Sequence, residues 1–325
     1  MSTEKSDMNS TRNLRIIVII ISWSLVLSAV ACGTQGANQS TQNGSERTQA
    51  EPLTGTAEEF ERAQFDNPTQ IDNKYYPLKP GTQWVYKGSS IVEGGKREEH
   101  RIIYTVTDLT KVVDGVRTLV VYDEDWHAGV LLEPEVRFHA QANDGTVWYF
   151  GEYREENDAD GKLVEPRAWV PDQKGAREGI SMLAEPRLGT PSYAQGYAPP
   201  PVEWIDRGRV YKIGQQTCVP VDCYENVVVI EEFERTKPGA FQTKYYAPGI
   251  GEVRTGWRGE KEEERETVEL IDYQHLSPEA MAKIREKAIE LDQRGYDPPE
   301  VGPFWQYTKE VYSHTQPVEH TLRAE

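Results

Sequence analysis

The chain has 325 residues, 53 of them acidic and 36 basic, for a formal charge of −17. So acidic a surface argues against nucleic acid, which rewards lysine and arginine, and against the bare face of an anionic membrane. It favours solubility and says little about fold.

Lys5, Arg12 and Arg15 make a positive start, and Ile16 to Ala31 is an apolar run broken only by Ser22, Ser24 and Ser28. The run is short for a spanning helix, which needs about 20 residues. It ends Ala29-Val30-Ala31-Cys32-Gly33. These residues resemble the lipobox of bacterial lipoproteins, in which a peptidase cuts before a cysteine that carries a diacylglycerol. Ala29 stands where that pattern favours leucine. The resemblance implies a signal peptide over 1–31, a lipid on Cys32 and a membrane partner reached through that anchor. It also implies an extracytoplasmic place in the bacterial cell envelope. The alternatives are a plain signal cut after Ala31, leaving Cys32 free, and a retained membrane helix.

Residues 32–59 are rich in Gly, Ser, Thr, Gln and Asn. They bury too little apolar surface to offset ordering entropy, so a flexible tether is expected. Residues 60–274 then read as strands and turns, an antiparallel β domain. Pro80-Gly81 feeds a strand from Thr82 to Ser90, Arg97 to Leu109 is a long strand, and Asp114-Gly115 turns it into Thr118 to Asp123. Gly129 to Glu135 reads as the connection to a central hairpin, Arg137 to Glu152.

Asn143-Asp144-Gly145 is a strong hairpin signal. A two-residue Asp-Gly loop would pair Arg137 with Glu152 and His139 with Phe150. A three-residue loop with a left-handed Gly145 would pair Phe138 with Phe150 and Ala140 with Trp148. It would place His139, Gln141, Val147 and Tyr149 on the other face. The second register separates apolar from polar residues better, and one buried face is what sets register, so it is expected.

Residues 155–161 read as a solvated loop, and 168–204 as irregular, rich in Gly and Pro around a short apolar run at Ile180 to Ala184. Strands resume at Arg209 to Gly214, Tyr224 to Phe233, Phe241 to Tyr246, Glu252 to Trp257 and Thr267 to Tyr273. The unbroken apolar run Val227 to Ile230 predicts burial on both faces. Ser277 as N-cap, Pro278 at N1 and Gly295 as the stop delimit one helix. Its apolar stripe is Met281, Ile284, Ala288 and Leu291. An extended tail completes 275–325. The fold class expected is mainly β (α+β): a curled antiparallel sheet or open barrel with one C-terminal helix.

Cys218 and Cys223 face each other across a turn and, in an exported chain, read as a disulfide. Half a metal site is the alternative, but there is no second cysteine pair and no histidine nearby in sequence.

Four stretches together resemble a widespread group of exported bacterial β-rich proteins without an assigned activity. They are 71–86 (Ile-Asp-Asn-Lys-Tyr-Tyr-Pro-Leu-Lys-Pro-Gly-Thr-Gln-Trp-Val-Tyr), 143–152, 244–253 and the helix from Ser277. They are turns and core aromatics, so the resemblance carries no chemistry over.

Asp123-Glu124-Asp125-Trp126-His127 is the densest ligand-like run, with residues 123, 125 and 127 on one strand face. Oxygen ligands suit calcium, and histidine with carboxylates suits zinc or iron. The calcium-loop glycine is missing and one strand offers too few ligands, so a solvated strand end is expected, with no metal and no other cofactor. Ser181 is not in a Gly-x-Ser-x-Gly elbow, and no phosphate loop, dinucleotide fingerprint or zinc-protease helix occurs. No catalytic residue is assigned. His139, Trp148 and Tyr149 are the candidate binding residues, for an unknown small-molecule or protein ligand. An envelope hydrolase acting on glycans or esters through dispersed carboxylates and His139 is the alternative.

Overall fold

The computed structural model describes Phe60 and residues 63–91, 95–263, 265–316 and 318–320. The expected signal sequence over 1–31, Cys32 and the expected tether over 32–59 lie outside the described residues. Strands β1 (Thr82–Ile91), β2 (Arg97–Val113), β3 (Val116–His127), β4 (Val130–Gln141), β5 (Val147–Asn157) and β6 (Leu163–Trp169) form one antiparallel meander. Strands β9 (Arg207–Cys218), β10 (Cys223–Phe233), β11 (Phe241–Ala247), β12 (Gly251–Arg258) and β13 (Thr267–His275) form a second. β13 pairs with β1 and joins the two. Short β7 (Gly179–Met182) pairs with β5, β8 (Tyr193–Ala194) with β9, and β14 (Val318–His320) with β2. The sheet has 14 strands and is not closed into a barrel. One isolated bridge, Arg177 to Tyr197, links the segments beside β7 and β8.

Turn chemistry makes the meanders. Asp114 and Gly115 have φ of 44° and 73°, and Ala128 and Gly129 have 49° and 84°. Two positive φ values in a two-residue loop match the right-handed twist of the strands they join. The second of these turns starts β4 at Val130, so the stretch expected to connect to the central hairpin is itself strand.

The central hairpin combines both predicted registers. Near the turn, Ala140 pairs with Trp148 and His139 with Tyr149, as the three-residue loop requires, and Gly145 has φ 93°. Beyond it the register slips, and Arg137 pairs with Glu152. The slip is a bulge at Gly151, whose φ is 91°. A Cβ there would come within 2.1 Å of the Trp169 carbonyl oxygen, so only glycine fits. Residues 155–161, expected as loop, instead carry the end of β5 and a turn into β6.

The sheet is strongly curled. Seven neighbours in the ladder, β4 through β3, β2, β1, β13 and β12 to β11, would set its ends about 29 Å apart if flat, at ~4.8 Å per step. Yet the Tyr76 ring lies 5.7 Å from His139 on β4 and 6.0 Å from Tyr246 on β11. The sheet wraps around the loop that carries Tyr76.

The outer face of one meander is covered by α1 (Pro278–Tyr296) and α2 (Trp305–Tyr312). Ser277 caps α1 by accepting from the Ala280 amide at 3.2 Å. Met281, Ala288 and Leu291 are buried, as the stripe predicts. Gly295 does not stop the helix as expected. It sits inside the last turn, where a Cβ would come within 2.3 Å of the Tyr312 ring. The expected extended tail is corrected too: it forms α2 and then β14 on the edge of β2. Val227 to Ile230 are buried, and Cys218 and Cys223 form the expected disulfide between directly paired positions of β9 and β10.

Candidate functional site

Strand alternation sorts charges between the two faces. On β3, Glu124 points out to Lys287 of α1 at 2.8 Å, while Asp123 points in to Arg137 at 3.1 Å. On β4, Val136 joins the apolar core under the helices, while Glu135 and Arg137 turn inward. The bulge at Gly151 returns both Tyr149 and Glu152 to the inner face, where the Tyr149 hydroxyl donates to Glu152. Inner-face residues of β3, β4 and β5 therefore converge on one guanidinium. Arg137 lies 2.7 Å from Glu135 and 3.1 Å from Asp123, and pairs in register with Glu152.

Three carboxylates around one cation cannot all ionise where water is excluded. Burial, opposed by Arg137 and reinforced by Glu135, pushes Asp123 up to about 8. Burial and the Glu135 charge push Glu152 well above the usual carboxylate range. For Glu135, burial is outweighed by Arg137 and by the Glu152 hydrogen bond, which hold it below the ordinary value. Glu152 is thus the member of the pair that favours the protonated form. Opposite, on β11, Lys244 stands 3.7 Å from Glu232 and 3.9 Å from Glu252, and its field reaches Asp123.

The inner cluster leaves polar atoms unused. Asp123 Oδ1, Arg137 Nε, Arg154 Nε and Tyr193 OH are buried and lack a hydrogen-bond partner. Arg137 nevertheless keeps 33% of its side-chain surface accessible. Asp123, Arg137 and Arg154 lie on the inner face of the curl, beside an aromatic cluster of Tyr104, Tyr149, Trp169 and Trp204, the last three with ring centroids 5.3–6.0 Å apart.

His139 and Tyr149, two of the candidate binding residues, share the inner face and stack at 4.9 Å. Trp148, the third, points to the other face and packs edge-on against Phe60 at 5.4 Å. His139 Nδ1 lies 3.1 Å from Ser181 Oγ, and its Nε2 is 3.4 Å from the Tyr104 hydroxyl. This resembles a serine–histidine pair but differs in chemistry. Burial and then the Arg137 charge lower His139 to about 3, far from the value near 7 that a general base needs. Arg137, Glu135 and Glu152 carry no motif in sequence, and Asp123 belongs to the acidic run expected as a solvated strand end, which is corrected: Asp123 and Glu124 are buried because each strand face there is covered.

A surface cleft of about 450 Å³ lies elsewhere, lined by Phe65 to Thr69 and by Gly115, Val116 and Arg117 at a hairpin tip. It contains none of the inner charges.

No protein-family profile matches the chain, and no curated protein matches it. Two solved structures overlap it in part. One, from Bacteroides fragilis, is described as an exported protein with a YmcC-like fold. It is 13% identical, covers 62% of this chain and 99% of its own, and has a TM-score of 0.35. The other, from Parabacteroides distasonis, is described as a lipoprotein. It is 10% identical with the same coverages and a TM-score of 0.34. A likeness of this depth says nothing about shared activity.

Proposed function

We propose that the protein is an extracytoplasmic lipoprotein, tethered through Cys32, whose charged and aromatic inner face binds a hydroxyl-rich ligand such as an oligosaccharide. The observation that carries this is the set of unused hydrogen-bonding atoms around Arg137, buried beside aromatic rings. Buried polar atoms are costly unless partnered, and sugar hydroxyls supply both donors and acceptors. Aromatic faces then offer apolar area to the sugar ring. An acyl chain fits poorly, since it would cover these groups without bonding them. The weak basicity of His139 and the lack of an orienting carboxylate on it favour binding over hydrolysis.

Thermal unfolding with a panel of soluble oligosaccharides tests the ligand class, with a fatty acid as control. At least one saccharide should raise the midpoint, and Asp123→Asn should reduce that response. No response to any saccharide, or stabilisation by the fatty acid alone, would refute it. Mass spectrometry of the mature N-terminus tests the tether separately: it should show an acylated cysteine, abolished by Cys32→Ala.

A further inference from the structure

We infer that His100, Asp125 and His127 form a binding site for a divalent transition-metal ion, best matched by zinc. A single strand offers too few ligands, but strand pairing supplies the missing one. His100 on β2 is the direct register partner of His127 on β3. Their rings stack at 4.2 Å. Asp125, two residues before His127, sends Oδ1 to within 2.6 Å of His100 Nε2 and 3.3 Å of His127 Nε2. One ligand atom from each of the three residues falls within 4.8 Å of the others.

The outer contacts orient the ligands for metal. Glu266 Oε1 lies 3.2 Å from His100 Nδ1, and Ser90 Oγ lies 2.9 Å from it. A ligating histidine characteristically gives its other N–H to a carboxylate, which fixes the tautomer and raises ligand basicity. His100 Nε2 and Asp125 Oδ1 lie at hydrogen-bond distance, 2.6 Å, with one proton between them, and a metal ion would displace that proton and take both lone pairs. Bonds of 2.0–2.1 Å at tetrahedral angles would widen that separation to about 3.3 Å, within reach of side-chain rotation.

The site is sheltered on one side and open on the other. His100 is nearly fully buried, while Asp125 and His127 keep 25% and 20% of their side-chain surface accessible. That leaves room for a fourth, exchangeable ligand. Two imidazoles and a carboxylate suit zinc and its first-row neighbours, whereas calcium and magnesium take oxygen. Glu98 and Glu133 add negative charge around His127 and so favour a cation. The site begins two residues along β3 from Asp123 and uses none of the unpartnered atoms around Arg137, so it does not rest on the ligand proposed for the inner face.

Chelator-stripped full-length protein, titrated with zinc chloride by calorimetry, should bind one equivalent. His127→Ala and Asp125→Asn, checked for folding by circular dichroism, should each weaken binding at least tenfold. His314→Ala, which alters an exposed histidine, should leave it unchanged. X-ray absorption of the zinc-loaded wild type needs no variant and should show two imidazoles with oxygen completing a first shell at 2.0–2.1 Å. The inference is overturned by absence of stoichiometric binding in the wild type, by undiminished binding in either site variant, or by a shell without histidine.

Discussion

Lys111, fully buried, and Arg137, a third exposed, are both cations set against buried carboxylates, on opposite faces of one curled sheet, and they are satisfied very differently. Lys111 points outward beneath the helices. It donates to Asp292 at 2.7 Å and to the Tyr296 hydroxyl at 2.8 Å, and it sits 4.4 Å from the Tyr312 ring centroid. Tyr312 donates its hydroxyl to the same Asp292. No buried polar atom of Lys111 or Asp292 lacks a partner. Burial lowers Lys111 to about 8 and raises Asp292, and each partner opposes the other's shift. Arg137 faces inward among more carboxylates than it can neutralise, with its Nε unpaired. A fully partnered buried charge locks a helix to a sheet. A partly partnered one is a site that a ligand can complete.

The most severe way to break this contrast is Lys111→Met. It leaves Asp292 buried without its cation, which costs about 3–5 kcal/mol and should appear as a lower denaturant midpoint. Adding Asp292→Leu should recover much of the loss, because removing both charges avoids the desolvation cost.

The inner face should govern acid sensitivity. His139 titrates near 6.5 when unfolded and at about 3 when folded. Between these values the unfolded chain binds the extra proton, so stability is fully present above pH 6.5 and falls as pH drops toward 3. The loss attributable to this group by pH 4 is on the order of 3 kcal/mol. His139→Gln should remove that component, seen as a smaller difference in unfolding midpoint between pH 7 and pH 4 than in the wild type.

Gly295→Ala sharpens the outer half of the comparison, since its methyl would press on the Tyr312 ring that closes the Lys111 cage. Overpacking of this kind costs about 1–3 kcal/mol, measurable by urea unfolding.

Asp123→Asn should act with the opposite sign. Asp123 titrates at about 8 in the fold and near 3.9 unfolded. The folded state therefore holds the extra proton between those values, and stability declines as pH rises through that window. An amide there should stabilise the fold at pH 8 by on the order of 1–2 kcal/mol, seen as a higher melting midpoint. A binding site that costs stability would explain the gain; a loss of stability would make Asp123 a structural partner of Arg137 instead.

Much of the architecture was legible in the chain because it rests on local signals. Asp114-Gly115 and Asn143-Asp144-Gly145 set hairpins through backbone conformation, and Val227 to Ile230 announce a buried strand. Ser277-Pro278 starts the helix by satisfying its first amides. Local signals failed where a residue's role depended on a distant neighbour. Gly295 looked like a helix stop but is small because Tyr312 lies against it.

What the sequence determined by itself was the β class, the turn positions, the late helix and the disulfide, all consequences of short-range conformational preference. Tertiary structure alone decided the site. Gly151 shifts a register and turns Glu152 toward Arg137, curling brings β11 across from β4, and strand pairing sets His100 beside His127. Each of these depends on contacts between strands, and alternation along one strand can say which face a charge occupies but not what it will meet there.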